Sequence, residues 1–146
     1  MRNRVFTYIT KQEQLLVLDH VDHSYLEPQI PGGTIKNGEL PEVAAIREAK
    51  EETGLTQIEV VRFLGSFERD LSEIGRNETI KAWFFHLCTS QSTEPRWRHF
   101  EMDSSEVSGP IEFELYWVPI NNLPTLGGID DAMLEELKAS VISNAA

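Results

Sequence analysis

The sequence predicts an α/β fold, in which a mixed sheet lies between two helices. Residues 111–120 alternate apolar and polar side chains, which is typical of a half-buried strand. In residues 3–10, Val5, Thr7 and Ile9 alternate with Phe6 and Tyr8, which also indicates a strand. Residues 41–53 carry the composition of a helix, and a second helix is expected after Asp130 and Asp131, reaching about Ser143. Such a mixture of elements favours a sheet covered by helices.

Length and charge narrow the class of protein. The chain has 146 residues and a net charge of −11, so one domain spanning residues 1–146 is expected. An acidic chain of this kind is a poor partner for duplex nucleic acid or an anionic membrane, because phosphate binding calls for a positive surface. Cys88 is the only cysteine, and the sequence has no apolar stretch of membrane-span length. Residues 1–4 lack the apolar stretch of a signal peptide, so none is expected. A cytoplasmic location is therefore the simplest expectation.

The first two predicted strands form a hairpin. Residues 3–10 are followed by a polar turn and then by the apolar run 15–18, which is too short for a helix. Because this run has no polar face, it is expected to be a central strand covered on both sides.

Residues 41–53 form the first predicted helix. Pro41 suits the first turn, where its missing N–H is not needed, and Gly54 provides a stop. The apolar stripe expected to pack on the core consists of Val43, Ala45, Ile46 and Ala49.

Two further strands and an irregular segment follow. Residues 57–67 and 78–88 are rich in β-branched and aromatic residues, as strands are. His86 lies on an otherwise apolar face of the second strand, so a role in the core is expected. Residues 89–109 are predicted to be irregular, and a loop of this length in a compact domain is functional or disordered.

That irregular segment contains Trp97 between Arg96 and Arg98. An aromatic ring beside two cations is suited to stacking on a base and binding a phosphate, so the three residues are candidates for substrate binding. The alternatives are that Trp97 packs back on the core or that the segment forms a dimer contact.

The helix 41–53 concentrates carboxylates. Glu48, Glu51 and Glu52 stand at i, i+3 and i+4, so they share one patch, on which like charges repel by roughly a few tenths of a kcal/mol per pair. Arg47 can reach Glu51 across one turn, but a divalent cation would neutralise the patch more fully. Oxygen ligands without cysteine or histidine suit Mg²⁺ or Mn²⁺. A solvated, Glu-rich helix face is the alternative interpretation.

The spacing around this helix carries more information than the helix itself. The segment 33–55 reads GTIKNGELPEVAAIREAKEETGL. The segment begins with Gly33, followed after five residues by Glu39 and after seven more by Arg47-Glu48. It continues with the aliphatic Ala49, one residue, Glu51-Glu52, one residue, Gly54 and the aliphatic Leu55. This pattern resembles the Nudix box, the signature of the Nudix hydrolases, with every fixed position present. Ala49 is smaller than the aliphatic residue that is usual at its position.

The resemblance implies a Nudix-type α/β/α sandwich and a metal-dependent hydrolysis. The bond cleaved would be the diphosphate bond of a small substrate, a nucleoside diphosphate linked to another group. The implied metal ligands are the side chains of Glu48, Glu51 and Glu52 and the carbonyl of Gly32. Glu39 and Arg47 would brace and orient the site.

Glycines complete the implied site. Gly33 would let the backbone approach closely, and Gly54 would end the helix. The base that takes the proton of the attacking water would be Glu52 or a glutamate beyond the box.

The strand 111–120 offers that additional glutamate. Glu112 and Glu114 lie on the same face of the strand as Tyr116. Many Nudix enzymes carry a glutamate shortly before a tryptophan such as Trp117, so the resemblance makes Glu114 a catalytic candidate, with Glu112 and Glu106 as substitutes. The alternative is that both strand glutamates face solvent.

The resemblance leaves several functions open. A catalytically idle Nudix domain that senses a nucleotide is one alternative, although the chain keeps every box glutamate. An isomerase of the isopentenyl diphosphate type is another, but its metal-binding histidine and cysteine residues are not evident. The substrate could be a nucleotide sugar, a dinucleoside polyphosphate, an oxidised nucleoside triphosphate, ADP-ribose or, less readily for an acidic chain, capped RNA. The resemblance also leaves the oligomeric state open, although relatives are often homodimers.

Overall fold

The computed structural model describes residues 1–101 and 109–145 and places a mixed sheet between two helices. The strands are β1 (Arg2–Lys11), β2 (Gln14–His20), β3 (Gly32–Thr34), β4 (Glu59–Asp70), β5 (Thr79–Cys88), β6 (Arg96–Glu101) and β7 (Ile111–Pro119), and the helices are α1 (Pro41–Thr53) and α2 (Leu134–Ala145). The predicted α/β/α sandwich is confirmed. None of the described helices has the length and apolar content that crossing a membrane would require.

The sheet has the strand order β4-β5-β1-β2-β7-β6, and β3 pairs with β1 away from this path. β1 runs parallel to β5, and the remaining pairs are antiparallel. The predicted hairpin of β1 and β2 is present, with Thr10 opposite Leu15. Residues 15–18 are fully buried between the two layers, as their apolar run predicts.

Each face of the sheet carries its own hydrophobic core. The α1 face includes Ala44, Ala45 and Ala49 of the helix, packed against strand residues such as Val5 and Phe85. The α2 face includes Leu137, packed against residues such as Phe84. His86 is buried beneath α2, where its ring nitrogens lie 2.8 Å from Thr10 Oγ1 and 2.7 Å from Ser140 Oγ, so the prediction of a core histidine is confirmed.

Helix α1 has the predicted bounds, but its buried face differs from the predicted stripe. Val43 is 54% exposed, whereas Ala44 is buried. The face that meets the sheet also includes Glu48, which is buried among the small alanines. Hydrophobicity alone predicts the stripe with Val43, whereas the structure places the carboxylate of Glu48 on the core side.

The start of α2 also differs from the prediction. The helix begins at Leu134 and is not capped by the side chain of Asp130. That carboxylate is buried, and its Oδ2 accepts a hydrogen bond of 2.8 Å from the backbone N–H of Ile30. Asp130 therefore anchors the segment that leads into β3, a long-range contact that competes with capping.

The segment predicted to be irregular contains a strand. β6 pairs antiparallel with β7, with Arg96 opposite Tyr116 and Glu101 opposite Ile111. Its charged composition concealed a two-residue alternation, because polar side chains lie on both of its faces. Residues 102–108, which include the substitute candidate Glu106, lie outside the described residues.

Candidate metal and catalytic centre

Arg47 is the hub of the box carboxylates. Its Nε and Nη2 each donate to Glu39, at 2.8 Å to Oε2 and 2.8 Å to Oε1, which is a two-point contact. Its Nη1 donates to Glu48 Oε1 at 2.8 Å and lies 3.2 Å from Glu51 Oε2. One guanidinium thus holds three carboxylates and fixes their positions on the helix.

Glu39 braces the loop ahead of α1. Its Oε1 accepts a hydrogen bond of 3.0 Å from the backbone N–H of Lys36. The hydrogen bonds from Arg47 lower the pKa of Glu39 to about 2. Glu39 is therefore fully ionised at neutral pH and keeps Arg47 turned toward the site.

Glu101, the last residue of β6, joins the glutamates of α1. One carboxylate oxygen from each of Glu48, Glu51 and Glu101 lies within 4.8 Å of the other two. Glu101 is buried and also interacts with Glu52 through a hydrogen bond and through its charge. The centre therefore draws carboxylates from a helix and from a strand that lies about 50 residues further along the chain.

Burial and crowding shift the proton affinities of these groups. Burial raises the pKa of Glu48 to about 7, although Arg47 opposes the shift. Burial raises the pKa of Glu52 well above its usual range, and the neighbouring charge of Glu101 adds to this effect. Near neutral pH the cluster consequently needs protons or cations to offset its charge.

Two glycines let the backbone approach the carboxylates. The backbone N–H of Gly32 donates to Glu52 Oε1 at 2.6 Å, which fixes that side chain against β3. A Cβ atom on Gly33 would overlap the carboxylate of Glu48, so a larger residue there would displace this ligand. A Cβ atom on Gly32 would overlap the carbonyl oxygen of Val5.

The donor set fits a hard divalent cation. The side chains that converge here offer carboxylate oxygens, which are the ligands preferred by Mg²⁺ and Mn²⁺. The burial of Glu48 and Glu101 favours a compensating positive charge, because a buried carboxylate cluster is costly without one.

The profile described as NUDIX domain matches residues 1–137 of the chain. This chain belongs to the Nudix family. The predicted membership is confirmed, and with it the general class of enzyme, a pyrophosphohydrolase.

Solved structures of Nudix proteins share the fold. A UDP-X diphosphatase superposes with a TM-score of 0.65 at 18% identity, over 99% of this chain and 64% of that one. The MutT NUDIX hydrolase from Burkholderia pseudomallei gives 0.61 at 19% identity, over 93% of this chain and 97% of that one. An ADP-ribose pyrophosphatase from Streptococcus suis gives 0.60 at 15% identity, over 99% and 92%. This Nudix chain therefore spans just under two thirds of the UDP-X diphosphatase.

The candidate Glu114 lies away from this centre. Phe113 and Leu115 belong to the core beneath α1, so Glu114, between them, faces the opposite side of the sheet. There its Oε2 lies 3.4 Å from Arg96 Nη1, and Glu112 Oε2 lies 3.6 Å from Arg98 Nη1. The predicted common face of Glu112 and Glu114 is present, but it faces away from the box glutamates.

The three candidate substrate-binding residues lie on opposite faces of the strand β6. Trp97 faces α1, where its Nε1 donates to the backbone carbonyl of Thr53 at 2.8 Å and its ring lies 6.4 Å from that of Trp117. Arg96 lies on the other face, with its guanidinium 4.1 Å from the centre of the Tyr116 ring. These contacts agree with the alternative interpretation, in which Trp97 packs back on the core.

Sequence reasoning did not identify Glu101. A signal was present, since Trp97, His99 and Glu101 recur at every second position, as residues on one face of a strand do. The arginines between them made the segment resemble a charged loop.

Proposed function

We propose that this Nudix protein uses Mg²⁺ or Mn²⁺ to hydrolyse the diphosphate bond of a nucleoside diphosphate linked to another group. The observation that carries the proposal is the convergence of Glu101 with the box glutamates on one cluster of oxygens. The metal ligands we propose are the side chains of Glu48, Glu51, Glu52 and Glu101 and the carbonyl of Gly32.

Two observations support the proposed substrate class, namely the Nudix box and the names of proteins with similar structures. UDP-X diphosphatase and ADP-ribose pyrophosphatase are named for substrates in which a nucleoside diphosphate carries a further group. We propose the same general class for this chain. A cytoplasmic location stays a prediction from the sequence, and the oligomeric state stays open between a monomer and a homodimer.

The cation, when bound, would offset phosphate charge and lower the pKa of a water molecule at the site. The chain's own residues would then orient and deprotonate that water. Its oxygen forms a bond to phosphorus as the bond from phosphorus to the leaving oxygen breaks.

We propose that Glu52 or Glu101 is the base that accepts the proton of the attacking water. Glu101 belongs to the carboxylate cluster, and Glu52 interacts with Glu101 through a hydrogen bond and through its charge, so either carboxylate lies beside the proposed cation site. Gly32 holds one oxygen of Glu52 through its N–H, which orients the carboxylate. Arg47, itself held by Glu39, keeps Glu48 and Glu51 in place.

We do not assign substrate binding to Trp97, because its indole N–H is already used by the helix. Arg96 and Arg98 are paired with glutamates on the far face of the sheet, so a role for them would require a substrate that extends around the sheet edge.

The test is a screen of nucleoside diphosphate derivatives with Mg²⁺, with identification of the products. Glu101→Gln should lower kcat on the best substrate by at least about 100-fold, the contribution of a positioned base or ligand. Glu114→Gln is the matched control on the neighbouring strand and should change kcat by less than about 3-fold, as expected away from the reacting groups.

Two results would contradict the proposal. A large decrease in kcat for Glu114→Gln, with no decrease for Glu101→Gln, would indicate that the catalytic glutamate lies on β7. Nucleotide binding without hydrolysis of any derivative would favour the idle sensor domain.

A further inference from the structure

The inner face of β6 carries three side chains that meet the last turn of α1. Trp97 Nε1 donates to the backbone carbonyl of Thr53 at 2.8 Å, and His99 Nε2 lies 2.9 Å from the backbone carbonyl of Glu51. Glu101 comes next on the same face and enters the carboxylate cluster. Because a carbonyl only accepts, His99 must carry its proton on Nε2.

These carbonyls belong to the end of the helix, where the last four lack partners within the helix. The backbone N–H of Gly54 donates a hydrogen bond to the carbonyl of Lys50 at 3.0 Å. The side chains of Trp97 and His99 satisfy the carbonyls of Thr53 and Glu51. We name this pair of contacts, His99 to Glu51 and Trp97 to Thr53, the β6 clamp.

We propose that the β6 clamp positions Glu101 for metal binding, so that His99 and Trp97 are positioning residues of the reaction. This inference rests on the proposed function. Glu51 takes part twice, since its carbonyl accepts from His99 while its carboxylate lies beside that of Glu101. The clamp thus fixes the same two segments whose carboxylates must share one cation.

Electrostatics gives the clamp a reason to exist. Glu101 approaches three carboxylates of α1, and when these groups are ionised their repulsion pushes the end of β6 away from the helix. Two hydrogen bonds to main-chain carbonyls oppose that force directly beside the cluster. Without them, Glu101 should spend less time within reach of the other ligands.

The box glycine Gly54 makes room for the clamp. It adopts a φ of +78°, in the left-handed region that favours glycine. A Cβ atom there would lie 2.9 Å from His99 Nδ1 and would press on the ring. Gly54 therefore serves the approach of His99 as well as the end of the helix.

The clamp is not what holds β6 in the sheet. β6 pairs with β7 from Arg96 to Glu101 independently of α1. A variant that loses one clamp bond should therefore keep its fold while its metal site loosens.

The experiment measures Mn²⁺ binding to the full chain without substrate, by titration followed with electron paramagnetic resonance, and kcat with Mg²⁺ in parallel. His99→Ala should weaken Mn²⁺ binding by about 10-fold or more, as is usual when the support of a metal ligand is removed. His99→Gln, whose amide can donate to the same carbonyl, should recover most of the affinity. Trp97→Phe removes the N–H and leaves a smaller aromatic ring against the core, so it should weaken binding in the same direction.

Phe100→Ala is the matched control. Phe100 lies between His99 and Glu101 on the opposite face of β6 and is 50% exposed. Its replacement should leave Mn²⁺ affinity within about 2-fold, since surface changes away from the site have small effects.

The decisive comparison places His99→Ala in a Glu101→Gln background. If His99 acts through Glu101, the second substitution should add no further loss of Mn²⁺ affinity. Fully additive losses, or unchanged affinity in both His99→Ala and Trp97→Phe, would overturn the clamp. Failure of the unaltered chain to bind Mn²⁺ would instead refute the proposed function itself.

Discussion

Replacing Glu48 by glutamine should flatten the pH dependence of the stability of the metal-free protein. Glu48 is buried beneath α1, with only 9% of its side chain exposed, so water screens its charge weakly. Glutamine has nearly the same shape and can still accept the hydrogen bond from Arg47. The substitution therefore removes the buried charge and little else.

The magnitude follows from the shifted proton affinity. Burial raises the pKa of Glu48 from its ordinary value of 4.5 to about 7. Because the folded protein binds this proton more tightly, the associated stability is fully present below about pH 4.5 and is lost as the pH rises through 7. The difference corresponds to a loss of about 3 kcal/mol in the free energy of unfolding.

The assay is urea unfolding of chelator-treated protein at several pH values between 5 and 8. The two proteins should be similarly stable at pH 5, and Glu48→Gln should be the more stable at pH 8 by up to about 3 kcal/mol. Glu42→Gln is the control, an exposed carboxylate on the first turn of the same helix, and should change stability by less than about 1 kcal/mol. Added Mg²⁺ should stabilise the unaltered protein more than the variant.

Parallel curves for Glu48→Gln and the unaltered protein over this pH range would refute the reasoning. They would mean that the buried position of Glu48 imposes no cost on its charge.

Two further predictions concern the framework around the site, and a third concerns the core beneath α2. Gly33→Ala should weaken Mn²⁺ binding by about 10-fold or more, because its Cβ would displace the carboxylate of Glu48, and unchanged affinity in a titration would contradict this. Arg47→Lys should lower the free energy of unfolding at pH 7 by about 2 kcal/mol, since lysine cannot make the two-point contact with Glu39. Urea unfolding measures this difference, and a difference near zero would contradict the prediction. Burial lowers the pKa of His86 to about 4, so the stability it provides is present above pH 6.5 and lost as the pH falls toward 4. Acid unfolding should therefore be shallower over this range in His86→Gln, and identical profiles would exclude the effect.

Local sequence determined the helix and most of the site's chemistry. Pro41 and Gly54 mark the ends of α1 because their backbone preferences act within one turn. The spacing of Glu48, Glu51 and Glu52 places the three carboxylates together on any helix, whatever the rest of the chain does. The contact of Arg47 with Glu51 follows from the same periodicity.

Faces and partners were decided by long-range packing. The alternation in β7 correctly groups Glu112 with Glu114, but a period of two leaves open which group faces α1. The structure gives that face to Phe113 and Leu115, because burying apolar area on the α1 core outweighs any local preference. On α1, long-range packing likewise turned Ala44 and Glu48 toward the sheet and left Val43 exposed, against the order of their hydrophobicity.

What the sequence alone determined is a Nudix-type α/β protein with a ready-made set of helical carboxylates and the arginine that holds them. Only the tertiary structure supplied Glu101, because β6 is defined by its pairing with β7 and by hydrogen bonds to the end of α1. Helical periodicity acts over a few residues and can be read along the chain. The approach of a polar strand to a helix some 50 positions away depends on how the whole sheet closes, which no local pattern encodes.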